Sequence, residues 1–424
     1  MVQRGYVKCP SCGKLYQLKV QLDRNIKIFE WPISFECVDC GDNLTYTYSP
    51  RGLSPKEFKF VPSPQDPPIT TVAYSSTLPI TGDVYMRDLD YAQSMIFSSQ
   101  FLNLSFRSPF SVEEIHKYDL FITRMQDGML PYRGVLKALL PILKKGKVDA
   151  FSKKMATLFN EKKYKPLGSA QDMYDSFFEL LKGVYLHIAP NRYLEECHTS
   201  FVKPLEDLIN NSTVDEVRAI KAKLDASGLI SVWYKEESLP YLAEAINNIQ
   251  KIVPSMIYAC AGIKDVEGKD DLKIVTIGCD DATDLYKYGY EVLAHGLKIL
   301  VGLNNLRENG DIDVFSNPGL GDVDTITKFA RKAAGKMIEH LEGNIPFMNY
   351  LDGSLNNKIR NAASHSGGIY YDVQTQHIEC YYDATDDSKV YETTLMSVCR
   401  LCHVLLLHLL EVTLLARKIV EKAK

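Results

Sequence analysis

Four cysteines near the N-terminus constrain this chain more than any other feature. Cys9-Pro10-Ser11-Cys12-Gly13 and Cys37-Val38-Asp39-Cys40-Gly41 repeat one pattern, a CxxC pair followed by glycine. Two intervening residues let both thiolates of a pair reach one ion about 2.3 Å away. The glycine accepts the left-handed backbone of a tight knuckle. Residues 13–36 separate the pairs, slightly more than the pattern usually holds, and they include alternating runs at Ile26–Phe29 and Trp31–Phe35 that suit short strands. We therefore expect a small N-terminal β zinc ribbon over residues 1–50, with Cys9, Cys12, Cys37 and Cys40 holding a structural Zn2+. Four protein ligands complete a tetrahedral ion and leave no position for a substrate, so the ribbon is expected to bind rather than catalyse. Nucleic acid and protein are equal candidates for what it binds. A redox reading competes with zinc, but two matched pairs with matched glycines favour the ion. The ten cysteines do not resemble a disulfide framework, which suits a reducing compartment. Cys399 and Cys402 share the CxxC spacing, yet they fall in an apolar run beside Val398, Leu401 and Leu405, where cysteine serves as a small core residue.

A chain of 424 residues suggests two or three domains. Its 46% apolar and 24% charged content is that of a globular protein. Lys and Arg number 49 against 53 Asp and Glu, a net charge of -4, which excludes a generally basic coat, so any nucleic-acid contact must come from a local patch. The densest such patch is Lys137–Lys165, with nine lysines, for which a solvated helix face is the plainer account. No apolar run reaches the ~18 residues of a membrane span. The nearest, His403–Ala416, carries His403, His408 and Glu411 and reads as a buried helix. With no apolar run at the N-terminus either, the expected compartment is cytoplasmic.

The pattern then divides. Residues 51–82 hold Pro55, Pro62, Pro64, Pro67, Pro68 and Pro79 and read as a Pro-rich linker. Residues 83–270 read as a helical middle domain, with apolar residues three and four apart, as in Leu136, Leu139, Leu140 and Leu143. Its expected role is sensing, regulation or RNA contact. Residues 271–424 begin with a strand-like run, Leu272–Ile277. Helices follow over 284–308, capped by Asp280, Asp281 or Asp284; over 323–341, capped by Asp322 or Asp324; and over 347–365. A hairpin follows over 368–383, then a helix over 390–424. The expectation is a mainly α chain that ends in an up-and-down bundle carrying a small β-hairpin. The loop Asn317–Asp322 lacks the Lys-Ser/Thr of a phosphate-cradling loop.

The third of these helices ends in Arg360-Asn361-Ala-Ala-Ser364-His365-Ser-Gly367-Gly368, followed by Tyr370, Tyr371 and Asp372. An Arg followed five positions later by His is weak alone, and Arg192 to His198 is a decoy of similar spacing. The surrounding asparagine, small residues, glycines and hairpin make it specific. The sequence IRNAASHSGGIYYD, at the end of a bundle helix, resembles the motif of the HEPN superfamily, and the resemblance covers roughly residues 280–424. It implies a metal-independent endoribonuclease, commonly a homodimer whose two motifs face a shared cleft, of the kind found in abortive-infection and other antiviral defence systems. It also implies an RNA substrate and a phage-derived or protein trigger. Arg360 and His365 take the catalytic positions, with Asn361 in support.

That assignment has a chemical rationale. RNA carries its own nucleophile, the 2′-hydroxyl. Histidine titrates near neutral pH and moves protons as acid or base, while arginine stays charged and offers a planar fork of donors to phosphate. Asn361 would orient His365 or donate to a phosphate oxygen. Glu339 and His340 are further candidates, with an exposed helix face as the alternative. Tyr370, Tyr371, Tyr381 and Tyr382 would stack on unpaired bases or simply pack the hairpin. Some HEPN members are inactive, so a non-catalytic RNA- or protein-binding adaptor is the alternative function.

Overall fold

The computed structural model describes residues 2–21, 31–48, 70–75, 77–81, 85–86, 110–129, 132, 134–159, 168–225, 229–262, 272–316, 321, 323–365 and 367–424. The chain is mainly α, with small β elements toward both ends. The run Ile26–Phe29, the proline cluster of residues 51–69, the lysines at 162, 163 and 165 and most of the loop 317–322 lie outside the described residues.

Two compact units form, and neither is a continuous stretch of chain. The first comprises Met1–Asp127, Asn248–Tyr286 and Lys358–His403; the second comprises Gly128–Asn247, Lys287–Asn357 and Val404–Lys424. Both ends of the stretch read as a middle domain, residues 83–127 and 248–270, group with the ribbon in the first unit. One side chain shows why. Tyr118, fully buried on α1 (Val112–Met129), donates its hydroxyl to the carbonyls of Thr77 and of Val253, the latter at 2.8 Å.

In the first unit, β1 (Val2–Lys8) and β2 (Leu15–Gln21) pair antiparallel around the first cysteine knuckle. β3 (Trp31–Glu36) and β4 (Asn43–Tyr48) pair around the second. Alternation works as period-two burial requires, with Tyr16, Leu18 and Val20 inside on β2. The linker expectation fails over residues 70–81. β5 (Thr70–Ser75) adds to β2 in parallel, β6 (Ile80–Thr81) pairs with β8 (Leu272–Lys273), and β7 (Tyr85–Met86) joins β5. Past Pro68 the residues are Thr70, Thr71, Val72, Ala73 and Tyr74, mostly strand formers. The expected hairpin is a three-stranded sheet of β9 (Ile369–Asp372), β10 (His377–Tyr381) and β11 (Val390–Thr394), in the order β11-β10-β9. Gln376, at φ 59° between β9 and β10, uses its side chain like a strand: its oxygen accepts the Ile274 N–H at 2.9 Å and its amide donates to the Ile274 carbonyl at 2.7 Å.

In the second unit, helices α2 (Val135–Lys144), α3 (Val148–Phe159), α4 (Ala170–Ile188), α5 (Lys203–Asn211), α6 (Val214–Asp225) and α7 (Leu239–Asn247) alternate with two π-helical segments, Leu194–Val202 and Trp233–Ser238. α8 (Cys279–Asn309) begins before the expected Asp284, leaving Asp280 and Asp281 in its first turn, where carboxylates meet the positive end of the helix. The next two expected helices are each divided. Residues 323–341 form α9 (Ile326–Ala330) and α10 (Ala334–Leu341), and Thr325, not an aspartate, caps α9 by accepting the Lys328 N–H at 3.2 Å. Residues 347–365 form α11 (Ile345–Leu351) and α12 (Asn357–Ala362), the latter belonging to the first unit from Lys358 onward. Asp352 and Gly353 both take positive φ there, 48° and 68°, a helix stop that the Asp-Gly pair encodes. The last helix, α13 (Leu395–Lys422), starts later than residue 390, because Val390–Thr394 has strand composition and Thr394 then accepts the Ser397 N–H. α13 is long and apolar enough to cross a membrane, yet 94% of its apolar window is buried within the protein.

Replacing Gln376 by alanine would leave the Ile274 N–H and carbonyl buried and unpaired. The expected cost is about 1–3 kcal/mol, to be read as a lower midpoint in chemical denaturation with an unchanged slope.

Candidate functional site

The ribbon places all four cysteines together. Their sulfurs lie within 4.8 Å of one another, with Cys9–Cys40 at 3.7 Å and Cys12–Cys37 at 3.5 Å. Sulfurs 2.3 Å from a common tetrahedral centre stand about 3.8 Å apart, so the donor set fits one ion, and both measured separations are far beyond a disulfide bond. The two knuckles are built alike. Gly13 and Gly41 take φ of 82° and 73°, and each donates its N–H to the first cysteine of its pair, at 3.0 and 2.8 Å. Cys9 and Cys37 are buried, while Cys12 and Cys40 face solvent. Burial pushes the Cys37 thiol up, but the Tyr16 hydroxyl and the Asp39 and Cys40 N–H groups outweigh it, and the thiol falls to about 6. On the knuckle surface Lys14 pairs with Asp39 at 3.2 Å, and Ser11 donates to Asp42 at 2.6 Å.

Arg360 lies half-buried on α12, and its Nη1 donates to Asn361 Oδ1 at 3.1 Å. Asn361 thus orients the guanidinium. His365 sits exposed on the turn after α12, its N–H donating to Ala362 O at 3.2 Å and its carbonyl accepting the Gly368 N–H at 3.2 Å. Glycine is needed at 368, since a Cβ there would lie 2.4 Å from Ala362 O. Lys358 stands over the rings of Tyr382 and Tyr391, at 5.4 and 5.3 Å. Tyr381 donates to Glu379, whereas Tyr370 is 59% exposed. Of the two further candidates, Glu339 pairs with Lys336 at 2.6 Å, and His340 is buried edge-on against Phe315. The decoy pair is accounted for as well: Arg192 pairs with Glu196, and His198 belongs to a different cluster.

That cluster escaped the sequence analysis. Glu411, buried on α13, accepts hydrogen bonds from Tyr185 at 2.6 Å, Tyr193 at 2.9 Å and Tyr350 at 2.8 Å, and pairs with His198 Nδ1 at 3.1 Å. His408 Nδ1, 2.9 Å from the Tyr193 hydroxyl, completes the group. All six residues belong to the second unit. Burial pushes the Glu411 carboxyl up, but the donors from His198, His408 and Tyr185 overcome it and hold it near 2. Burial pulls His198 down, and Glu411 more than reverses this, so His198 titrates above its ordinary range. The available signal was a histidine and a glutamate three apart, His408 and Glu411, within an apolar run.

No family model, no curated protein and no solved structure matches this chain.

The raised His198 value fixes the direction of a pH effect. Its stabilisation is complete below the unfolded value of about 6.5 and fades as pH rises through the higher folded value. The melting-temperature gap between wild type and His198→Gln should therefore be widest near pH 6 and shrink toward pH 9. Replacing Glu411 by alanine, which leaves three buried hydroxyls without their acceptor, should cost about 3–5 kcal/mol.

Proposed function

We propose that this protein is a metal-independent endoribonuclease of the HEPN type, with Arg360 and His365 as its catalytic pair. The observation that carries this reading is the division of roles at the end of α12: a guanidinium held half-buried by Asn361, followed by an exposed imidazole on a turn that Gly368 closes. In the proposed reaction the RNA 2′-oxygen attacks the adjacent phosphorus as the P–O5′ bond breaks. His365 moves the protons, taking one from the 2′-hydroxyl or giving one to the departing 5′-oxygen. Arg360 balances charge gathering on the nonbridging oxygens. The products are a 2′,3′-cyclic phosphate and a 5′-hydroxyl, and DNA is not cleaved. Two copies would place their motifs across a shared cleft, making the active form a homodimer. The setting would be cytoplasmic antiviral defence by abortive infection, released by a phage-derived or protein trigger.

In the same reading the four cysteines hold a structural Zn2+. Cys9, Cys12, Cys37 and Cys40 supply every ligand, and the ion would organise the ribbon without entering the chemistry. The closed ligand set and the internally paired Lys14–Asp39 and Ser11–Asp42 groups also suit the second reading, an adaptor in which ribbon and bundle bind RNA or protein.

Wild type, Arg360→Ala and His365→Ala should be expressed, checked for folding by circular dichroism and compared for growth arrest and RNA cleavage. We expect each substitution to lower cleavage about 10²–10⁴-fold while the fold persists. Equal cleavage, or equal absence of cleavage, by all three proteins would sink the nuclease and favour the adaptor. Purified protein should also carry one zinc per chain by elemental analysis, and lose it when Cys12 and Cys40 are both replaced by serine.

A further inference from the structure

The four-cysteine cluster has a fifth participant. Tyr16 lies on β2, in the strand that leaves the first knuckle, and is fully buried with its ring edge-on to Phe35, centroids 5.3 Å apart. Its hydroxyl donates to Cys37 Sγ at 3.0 Å and accepts the Val38 N–H at 3.0 Å. One side chain from the first knuckle's strand thus holds both the sulfur and the backbone of the second. The four sulfurs are unequal in this respect. Cys37 accepts the Tyr16 hydroxyl, whereas Cys9 and Cys12 meet the sulfurs of Cys40 and Cys37 at 3.7 and 3.5 Å. Cys37 is buried, whereas Cys12 and Cys40 are exposed.

We propose that Tyr16 is a positioning residue of the metal site, whose hydroxyl makes Cys37 the anchoring ligand, leaving exposed Cys12 and Cys40 as the thiolates that open first. This rests on the reading that the four cysteines hold an ion. Four thiolates around a dication carry a net charge of about -2, and a hydroxyl donor draws electron density from the one buried sulfur it meets. It also fixes that sulfur's direction, as outer-shell partners of metal ligands do. The first knuckle has no such donor among the described residues: Cys9 is buried, and the hydroxyl that crosses between the knuckles goes to Cys37.

Tyr16→Phe removes one oxygen and keeps the ring. The full-length wild type and variant are compared by circular dichroism, by cobalt titration and by zinc transfer to a chromogenic chelator. We expect an unchanged fold, zinc affinity about 10–100-fold lower, and a cobalt–thiolate charge-transfer band shifted to lower energy, since a sulfur without its donor gives up electrons more readily. Equal affinity and an unshifted band would overturn the assignment. Lower affinity with an unshifted band would also overturn it, because packing alone would then explain the loss. A wild type that shows no tetrahedral cobalt spectrum would instead remove the metal reading itself, so the two failures are told apart.

Discussion

A carboxylate carried into an apolar interior is strongly destabilising unless donors meet its lone pairs. Glu411 satisfies that condition with side chains drawn from separate elements of the second unit: Tyr185 from α4, His198 from the π-helical segment, Tyr350 from α11, and its own helix mate His408 nearby through Tyr193. Apolar packing alone tolerates sliding and rotation of helices, whereas a carboxylate with fixed hydroxyl partners does not. The wide turn of the π-helix fits this demand. It spans Leu194–Val202 and brings His198 to the carboxylate while leaving 22% of its side chain exposed. The same constraint accounts for Glu411 and His408 inside the long, buried helix α13.

The first unit answers a different problem. Two short hairpins are a small unit, and small units bury a smaller share of their surface on folding than large ones. A shared ion bound by four thiolates would supply what the core lacks, since binding free energy then becomes folding free energy. β5 shows a second solution to the same shortage. By pairing with β2 it extends the ribbon's sheet and covers an edge that would otherwise stay open, and Tyr74 reaches across to donate to the Pro32 carbonyl at 2.9 Å.

What could be read from the sequence depended on the range of the interaction. The cysteine knuckles were legible because spacing, glycine and ligand type all lie within five residues of each other. The long helix α8 and the apolar α13 were legible from periodicity. The divided helices were not, because periodicity runs through Asp352-Gly353 unbroken while the local backbone turns left-handed there. β5 and β11 were missed for opposite reasons: one lay behind a proline cluster, the other directly before a strong helix. The Glu411 cluster and Tyr16 were beyond reach, since they join residues far apart in sequence through contacts that leave no pattern in any one segment. Gln376 is the extreme case, a side chain acting as a strand toward Ile274, a residue distant in the chain.

The motif at the end of α12 combines the two kinds of order. On the proposed reading its chemistry makes unequal demands on its two groups. A cation that balances developing charge works best when already fixed, because any reorientation during the reaction subtracts from the stabilisation it gives. Arg360 meets that demand locally, with Asn361 beside it and the helix beneath it. A proton carrier needs access and a titration range near neutrality more than rigidity, and His365 sits where the helix has ended and the side chain is open to solvent. Had both residues lain on the regular helix, a spacing of five would have sent them to different faces. Ending the helix between them frees the imidazole from that geometry, and the close contact of Gly368 with Ala362 is what ends it in so short a turn. On the proposed reading Gly368 therefore serves the chemistry indirectly, since the turn it closes decides where the histidine can go.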